Sequence, residues 1–472
     1  MTAQRIAIVG AGISGLAAAF TLVDEAARTG LEIDITLLEA ANVAGGHART
    51  VAEGGFLVES GPNGFLDREP ETLALIESLG LTGRLVESKP AAKRRFVVRG
   101  GRLQQAPDSP WTLLTTGALS PLGKVRLLLE PFARKAPPGV EETVFDFASR
   151  RIGPEAADML VDAAVAGISA GDSRALSVRA QFPLMVEMER EHGGLIRALV
   201  ARRRRGVKAP KLLSFDGGMG VLTCALVERL GARLRTGQAV RAIERSGRGF
   251  RLRVRDGHDV EADQVLLALP ATAASHLVEG IDPELSRDMR SVAYSGIAVV
   301  AMAFEVSDLP ASLDGYGYLV TRDEKLATLG VVWESCLFPG RAPEGYVLVR
   351  AFMGGARRPE VLHAGDEVLL ARAHADLAPI MGVFKEPSRH WVFRWPNAIA
   401  QYTVGHLDRI ARIRERLRTY PGLAVAGASY DGCSFNQAIV SGRAQAREVS
   451  RSLSGTEPVF SRLPANAPGP DL

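Results

Sequence analysis

The N-terminal segment carries the pattern that most constrains the fold. An apolar run at residues 5–9 leads into the glycine-rich sequence GAGISG at 10–15, an Ala- and Leu-rich stretch follows, and a second apolar run at 33–38 ends at Glu39. This order of strand, GxGxxG turn, helix, strand and carboxylate is typical of a Rossmann-type βαβ unit. It predicts a site for an adenine dinucleotide, with the pyrophosphate at the helix N-terminus and Glu39 on the ribose hydroxyls. The residues expected to contact the cofactor here are Gly10, Ala11, Gly12, Ile13, Ser14, Gly15, Glu39 and Ala40.

Two later segments indicate which dinucleotide binds. Gly45 and Gly46, followed by His47, form a second glycine pair, which flavoproteins with bound FAD commonly carry and NAD enzymes do not need. The turn formed by Gly61, Pro62, Asn63 and Gly64 offers exposed backbone to an isoalloxazine ring, although an ordinary loop is the alternative for this turn alone. Together with the first motif, these segments favour FAD.

Length, charge and cysteine content limit the class of protein. A chain of 472 residues should divide into about two or three domains. A net charge of +4 favours anionic small molecules or lipid surfaces over nucleic acid. Cys224, Cys336 and Cys433 form no CxxC pair, which argues for a reducing compartment without disulfides or a zinc site. Because the N-terminal apolar run is itself the first strand, it is not a signal peptide, and we expect a cytoplasmic protein.

One segment raises the question of membrane contact. Residues 109–132 combine leucines with Trp111 and marginal cations, but their prolines and glycine prevent a single spanning helix. They predict either an interfacial segment or helices buried in the protein's own helical subdomain, and we favour burial. The first alternative would place the protein peripherally on the cytoplasmic face of the inner membrane. The basic run at 202–205 predicts a solvated loop, with contact to lipid phosphates as the alternative.

Periodicity along the chain predicts an α/β fold, α+β overall, with a Rossmann-type FAD-binding domain, a sheet-based substrate domain and a helical subdomain. The region 291–394 is interpreted as strands and turns, and 111–211 as mainly helical. The predicted divisions are 1–88, 212–290 and 395–455 for the FAD-binding domain, 89–110 and 291–394 for the substrate domain, 111–211 for the helical subdomain, and 456–472 for a disordered tail.

From its N-terminus to about residue 453, the chain resembles the FAD-dependent, oxygen-dependent protoporphyrinogen oxidases within the monoamine-oxidase-like flavoproteins. The strings that carry the resemblance occur in family order. They are GPNGFL at 61–66, PAAKRRF at 90–96, ISAGD at 168–172, QYTVGH at 401–406 and GASY at 427–430.

The resemblance implies the oxidation of protoporphyrinogen IX to protoporphyrin IX, with FAD carrying the chemistry, oxygen as acceptor and hydrogen peroxide as product. It implies no catalytic side chain and no metal. Arg95 would bind the propionates through its planar guanidinium group. Leu319, Val332 and Phe352 would enclose the ring, and Gly167 would allow its close approach. Further FAD contacts implied in this way are Val240, Trp395, Cys433, Ser434 and Phe435. A peripheral membrane contact and a homodimer are left open.

Two departures from the family pattern keep other functions open. Val43 stands where an arginine is usual, and the C-terminal motif continues as SFNQ at 434–437, in which Asn436 is expected to cap the following helix. The alternatives are a coproporphyrinogen III oxidase, a flavin amine oxidase, a phytoene-desaturase-like or mutase flavoprotein, and a non-catalytic FAD- or tetrapyrrole-binding protein. Ser434 counts against an amine oxidase, because an aromatic residue would be expected near this position.

Overall fold

The computed structural model describes residues 3–137, 139–206, 209–255 and 257–454. The predicted tail at 456–472 lies outside the described residues. The strands are β1 (Gln4–Val9), β2 (Ile33–Leu38), β3 (Thr50–Glu53), β4 (Phe56–Glu59), β5 (Phe65–Leu66), β6 (Leu85–Glu87), β7 (Arg95–Arg99), β8 (Arg102–Gln105), β9 (Leu212–Phe215), β10 (Leu234–Arg235), β11 (Val240–Ser246), β12 (Gly249–Val254), β13 (Val260–Ala262), β14 (Gln264–Leu267), β15 (Ala293–Glu305), β16 (Gly317–Val320), β17 (Thr328–Val332), β18 (Tyr346–Gly354), β19 (Arg389–Gln401) and β20 (Leu423–Val425).

The helices are α1 (Ile13–Thr29), α2 (Pro70–Ser78), α3 (Pro110–Thr115), α4 (Pro121–Leu128), α5 (Val144–Ile152), α6 (Pro154–Ala156), α7 (Ala163–Ser169), α8 (Val178–Gln181), α9 (Pro183–His192), α10 (Leu195–Arg204), α11 (Gly220–Leu230), α12 (Ala271–Val278), α13 (Pro283–Arg290), α14 (Glu334–Leu337), α15 (Asp366–Met381), α16 (His406–Leu417) and α17 (Phe435–Leu453).

A parallel sheet of five strands, in the order β10-β2-β1-β14-β20, forms the centre of the nucleotide-binding part. Alternate residues of β1 face different layers, as the two-residue period of a strand requires. Ile6 and Ile8 pack toward α1, α11 and α17, whereas Ala7 and Val9 pack toward β11–β13 and α12. The sheet is therefore buried on both faces, which explains why β1 and β2 are continuous apolar runs.

A second sheet of seven strands has the order β19-β15-β18-β17-β16-β7-β8. Only the pair β16 and β7 is parallel; the other neighbouring strands are antiparallel. Leu369, Ala373 and Leu377 of α15 cover one face of this sheet. The opposite face is turned toward the nucleotide-binding part and toward α7, so the sheet has one face available for a ligand.

Buried ion pairs hold the helices of the region 111–211 together. Arg151 of α5 has no exposed surface and pairs with Glu130, which is equally buried, and with Glu189 of α9. The Glu130 carboxylate also accepts the backbone N–H groups of Leu195 and Ile196 at 2.8 and 3.0 Å, which are the first residues of α10. Three helices and the turn at Glu130 therefore share one network of charge-assisted hydrogen bonds.

The expected α/β fold class is confirmed, with corrections to its elements. The region 291–394 contains the helix α15, and the strand β19 continues past the boundary set at residue 394 to Gln401. The basic run at 202–205 is not a loop, because α10 extends to Arg204. Its arginines are exposed, as expected. The domain boundaries themselves stay predictions.

Burial is the wrong interpretation for much of the segment 109–132. Prolines divide it into α3 and α4, and only one side is covered: Leu113 and Leu119 are buried. Trp111, Leu122 and Phe132 are 73%, 82% and 79% exposed. Among the described residues, no helix combines the length and apolarity needed to cross a membrane.

Candidate active site

The glycine-rich turn has the shape of a phosphate cradle. Gly10 has a φ of +99°, and a Cβ on Gly15 would lie 1.9 Å from the Gly10 carbonyl oxygen, so α1 packs directly against the turn. A Cβ on Gly12 would meet no atom within 4 Å. The Ser14 hydroxyl is buried and has no hydrogen-bond partner among the described residues. The open approach at Gly12, the helix N-terminus and the orphaned hydroxyl fit a bound pyrophosphate.

Glu39 is fixed at the carboxyl end of β2 by two backbone donors. Its carboxylate accepts the N–H of Ala11 at 2.7 Å and that of Ala41 at 2.9 Å, and it keeps lone pairs for ribose hydroxyls. The N–H of Gln238 donates to the Glu39 carbonyl at 2.8 Å, which brings the start of β11 and Val240 beside it. The two predicted contacts of the adenosine end therefore lie together, although they are distant in sequence.

The second glycine pair lies against the first motif and leads toward the other end of the site. The N–H of Gly45 donates to the Ala11 carbonyl at 2.8 Å, and a Cβ on Gly46 would lie 3.3 Å from the Gly12 Cα. Next, the rings of His47 and Trp395 meet edge to face at 4.5 Å. Trp395 in turn donates its indole N–H to the Ser60 carbonyl at 2.7 Å, directly before the turn at 61–64.

The 61–64 turn is held by a buried arginine that was not predicted. Arg350 of β18 donates to the Glu59 and Gly61 carbonyls at 3.0 and 2.7 Å. It also pairs with Glu334, and both side chains are 1% exposed. Asn63 donates its amide to the same Glu334 carboxylate at 3.1 Å. The turn expected beside the isoalloxazine ring is thus fixed to the ligand-facing side of the seven-stranded sheet.

The C-terminal loop reaches the same region with a different cap from the one expected. Ser434 caps α17, because its hydroxyl accepts the N–H of Gln437 at 3.2 Å. Asn436 is not the cap; its amide donates to the Leu66 carbonyl at 2.8 Å. Cys433 accepts a hydrogen bond from the Gln181 amide at 3.3 Å, and the Phe435 ring lies 5.8 Å from that of Phe65. The helix N-terminus therefore opens onto the loop at 433–435.

The seven-stranded sheet brings the predicted substrate residues onto one face. Leu319 is opposite Gly330 in the register of β16 and β17, and Gly330 is opposite Phe352 of β18. Two residues further along β17, Val332 is opposite Gly317 of β16, and Gly317 pairs with Arg95 of β7. Because residues opposite one another share a face, these side chains line one surface. Gly330 lacks a side chain, and Leu319 Cδ2 lies 3.2 Å from the position that a Cβ on Gly330 would take.

Gly167 and Arg95 lie at the borders of this surface. A Cβ on Gly167 of α7 would lie 2.2 Å from Leu319 Cδ2, so the helix backbone rests on that side chain. Arg95 is exposed, with its guanidinium carbon 5.5 Å from the ring of Tyr316. Within the described part of the chain Arg95 forms no ion pair, whereas its neighbour Arg94 pairs with Asp314. Arg95 is therefore available to an anionic ligand.

The QYTVGH string at 401–406 acts as a packing element. Tyr402 stacks on His406 with 4.0 Å between ring centroids and donates to the Ala428 carbonyl at 2.8 Å. His406 has no exposed surface, and neither ring nitrogen has a hydrogen-bond partner among the described residues. Burial, together with the charges of Arg409 and Arg414, lowers the pKa of His406 to about 3.

A family model described as flavin containing amine oxidoreductase matches residues 13–450. The chain belongs to this family. Its members contain a flavin, and the dinucleotide unit at residues 10–15 agrees with FAD, so the cofactor prediction and the prediction of an oxidoreductase are confirmed. The residues assigned to individual FAD contacts stay predictions, supported by the geometry above.

Among named members of the flavin-containing amine oxidoreductase family, the chain is similar to human protoporphyrinogen oxidase, at 31% identity over 96% of this chain and 99% of the relative. It is 29% identical to the coproporphyrinogen III oxidase of Bacillus subtilis, over 93% of this chain and 97% of the relative. A crystal structure from Exiguobacterium sp. 255-15, provisionally named a protoporphyrinogen oxidase, superimposes with a TM-score of 0.84 at 28% identity, covering 96% of this chain and all of that one. The resemblance inferred from the motifs is confirmed.

Sequence reasoning missed the residues that assemble this flavoprotein site from distant segments. Arg350 had a signal, since it is a charge inside the otherwise apolar strand YVLVRAFMG. A charge in such a strand is rare unless it is paired. Glu334 and Gln181 had none, because their partners become neighbours only in the folded chain.

Proposed function

We propose that this flavoprotein oxidises protoporphyrinogen IX to protoporphyrin IX in haem biosynthesis, with oxygen as acceptor and hydrogen peroxide as product. The observation that carries the proposal is the ligand-facing surface of the seven-stranded sheet. It presents the apolar side chains of Leu319, Val332 and Phe352 and one arginine, Arg95, that forms no ion pair among the described residues. A broad apolar macrocycle with carboxylates along one edge would place its ring on the apolar side chains and a carboxylate on Arg95.

The chain's own residues would bind and orient the substrate. Arg95 would take a propionate bidentately, while Leu319, Val332 and Phe352 would cover the ring faces and exclude water. Gly167 would allow the ring to approach α7. FAD, when bound, supplies the redox chemistry by accepting two electrons in each of three turnovers per porphyrin. No nucleophilic side chain is required of the protein.

Coproporphyrinogen III is the second candidate, and the likeness to the Bacillus subtilis enzyme favours it. It carries two propionates where protoporphyrinogen IX carries two vinyl groups. Two further arginines, Arg322 and Arg357, lie beyond the ends of β16 and β18, but both are bonded to Asp162. Because Arg95 is the arginine of this surface that has no acidic partner in the described ranges, we prefer the substrate with fewer carboxylates.

Two features of the site favour a porphyrinogen over an amine as the substrate. In an amine oxidase, an aromatic cage residue would be expected near Ser434. Here the Ser434 side chain caps α17. An apolar surface bordered by a cation suits an anionic substrate better than an ammonium group. A non-catalytic binding protein would use the same surface without turnover.

Incubation of the purified holoprotein with each porphyrinogen tests the proposal. Porphyrin fluorescence with matching oxygen uptake is expected, with a higher kcat/KM for protoporphyrinogen IX than for coproporphyrinogen III. The reverse order would transfer the assignment to coproporphyrinogen III. No fluorescence with either substrate would remove the proposed function, and oxidation of a simple amine would favour the amine oxidase alternative.

We also propose peripheral contact with the cytoplasmic face of the inner membrane. The exposed large apolar residues of α3, α4 and the following turn are here called the apolar patch, which comprises Trp111, Leu114, Leu122, Val125, Leu128, Leu129 and Phe132. The turn Glu130–Phe132 contacts α10, whose C-terminal end carries exposed arginines. Apolar side chains beside cations suit an anionic lipid surface. A second copy of the chain is the alternative occupant, and sedimentation of the lipid-free protein distinguishes the two.

A further inference from the structure

The helix that carries Gly167 is attached to the seven-stranded sheet at both ends. At the C-terminal end of α7, the Ala170 carbonyl accepts the N–H of Ala356 at 2.7 Å, and the Ser169 carbonyl accepts the side-chain amide of Gln401 at 2.9 Å. Ala170 has a φ of 48°, in the left-handed region that commonly ends a helix. The loop after β18 therefore holds this end of α7.

A single carboxylate makes the attachment at the N-terminal end. Asp162 closes a π-helical turn (Ala157–Asp162) directly before α7, and its side chain is fully buried. One oxygen accepts from Ser173 at 2.6 Å and from Arg322 at 2.9 Å. The other accepts from Arg357 at 2.9 Å and again from Arg322 at 3.2 Å. Because the two arginines follow β16 and β18, Asp162 ties α7 to two strands of the sheet.

The electrostatics make this carboxylate hard to replace. Burial would raise the pKa of Asp162, but hydrogen bonds from Arg322 and Ser173 and the charge of Arg357 hold it below its ordinary value. Burial also lowers the pKa of Arg357, and the charges of Arg322 and Arg174 lower it further, against the attraction of Asp162. Without the Asp162 carboxylate, Arg322 would keep its pair with Asp172, but Arg357 would be a partly buried cation with no ion pair among the described residues, which is costly.

We propose that Asp162 is a positioning residue for the substrate. By holding α7 against the sheet, it fixes the position at which Gly167 lies on Leu319 and hence this border of the substrate surface. Asp162 does not line that surface; it acts through the helix. The inference rests on the proposed function, which assigns Gly167 and Leu319 to the ring. π-Helical turns occur frequently at functional sites, and this one places Asp162 where both arginines reach it.

Asp162→Asn tests the inference, because the amide keeps the shape of the side chain and removes its charge. KM for protoporphyrinogen IX should rise by about tenfold or more, with a smaller change in kcat and unchanged FAD content, since misplacement of a substrate contact by about 1 Å is costly. Hydrogen exchange in residues 163–170 should accelerate. Arg357→Met, which leaves the Asp162 and Arg322 pair intact, is the milder variant and should raise KM less.

The double variant Asp162→Asn with Arg357→Met separates positioning from stability. Removing Arg357, the arginine that loses its acidic partner when Asp162 is replaced, should restore Tm, whereas KM should remain high because the link between Asp162 and Arg357 is still absent. Recovery of KM together with Tm would overturn the inference in favour of a purely structural role. So would an unchanged KM in a variant whose α7 exchange is accelerated.

Arg174→Gln is the matched control, since Arg174 pairs with Asp158 of the same π-helical turn but, unlike Arg322 and Arg357, does not follow a strand of the sheet. It should leave KM unchanged. Absence of turnover by the wild-type chain would refute the proposed function itself. That result is distinguishable, because accelerated exchange in α7 of the Asp162→Asn variant is measured without substrate.

Discussion

Replacing Gly12 by alanine separates what the cofactor requires of the glycine-rich turn from what the fold requires. The added Cβ would meet no protein atom within 4 Å, and Gly12 has φ −70° and ψ 177°, which alanine adopts freely. Alanine is a poorer helix N-cap than glycine, but it also reduces the entropy of the unfolded chain, so the free energy of unfolding of the cofactor-free protein should change by less than about 1 kcal/mol.

The effect on FAD should be much larger. A methyl group at Gly12 occupies the approach to the backbone N–H groups at the start of α1, and it holds the pyrophosphate away from them. Losing one hydrogen bond to a charged group costs about 1.5–3 kcal/mol. FAD affinity should therefore fall by about ten- to a hundredfold.

Gly15→Ala provides the contrast, because its Cβ would lie 1.9 Å from the Gly10 carbonyl oxygen and 3.2 Å from the Ala268 Cβ. Backbone must move there, so the cofactor-free protein itself should lose stability. Titration of deflavinated protein with FAD, with thermal unfolding of the same samples, measures both effects. Native FAD affinity in the Gly12→Ala protein would refute the placement of the pyrophosphate.

Three further predictions concern the substrate, acid stability and the membrane. Arg95→Ala should raise KM for protoporphyrinogen IX by about ten- to a hundredfold, the loss of a charge-assisted carboxylate contact, with FAD content unchanged. His406 is neutral in the fold down to its pKa of about 3, while in the unfolded chain it protonates below about 6.5, so its contribution to stability is lost as pH falls through this window. At pH 5 the loss is about 2 kcal/mol, and His406→Gln should abolish this part of the acid sensitivity of Tm. Leu122→Ser with Phe132→Ser should weaken sedimentation with anionic vesicles without changing activity in detergent.

Each of these predictions has a matched control. Arg94→Ala removes a neighbouring cation that is already paired with Asp314, and a similar KM effect there would show that Arg95 is not specific. His363 is exposed, so His363→Gln should keep the acid profile of the wild type; the His406 argument fails if both variants behave alike. Phe384 is 74% exposed outside the apolar patch, and its replacement by serine should leave vesicle binding intact.

The nucleotide-binding unit could be predicted because its constraints act between residues that are near in sequence. The positive φ of Gly10 and the contact of Gly15 with that turn are local requirements, and each excludes other residue types at its position. The strand predicted at 33–38 agrees with β2, and that at 5–9 lacks only the first residue of β1. Because such local requirements restrict which residue types occur at neighbouring positions, they can be recognised in the amino-acid sequence.

The rest of the site depends on contacts that no local pattern records. Arg350 reaches the Gly61 carbonyl, and Asp162 reaches Arg357, across 289 and 195 residues of chain. The helix α15 is a different case, since Leu369, Ala373 and Leu377 recur at helical spacing and would have predicted it. Exposure of the apolar patch could not be predicted, because burial depends on which elements cover a surface rather than on its composition.

The central claim is that a porphyrinogen bound on the seven-stranded sheet reduces the FAD held by the glycine-rich turn. Anaerobic addition of protoporphyrinogen IX to the purified holoprotein measures this most directly. We expect that the visible flavin absorbance bleaches, that porphyrin fluorescence appears as oxygen is readmitted, and that Arg95→Ala requires more substrate for the same bleaching. A flavin that stays oxidised in the presence of protoporphyrinogen IX and coproporphyrinogen III would contradict the claim.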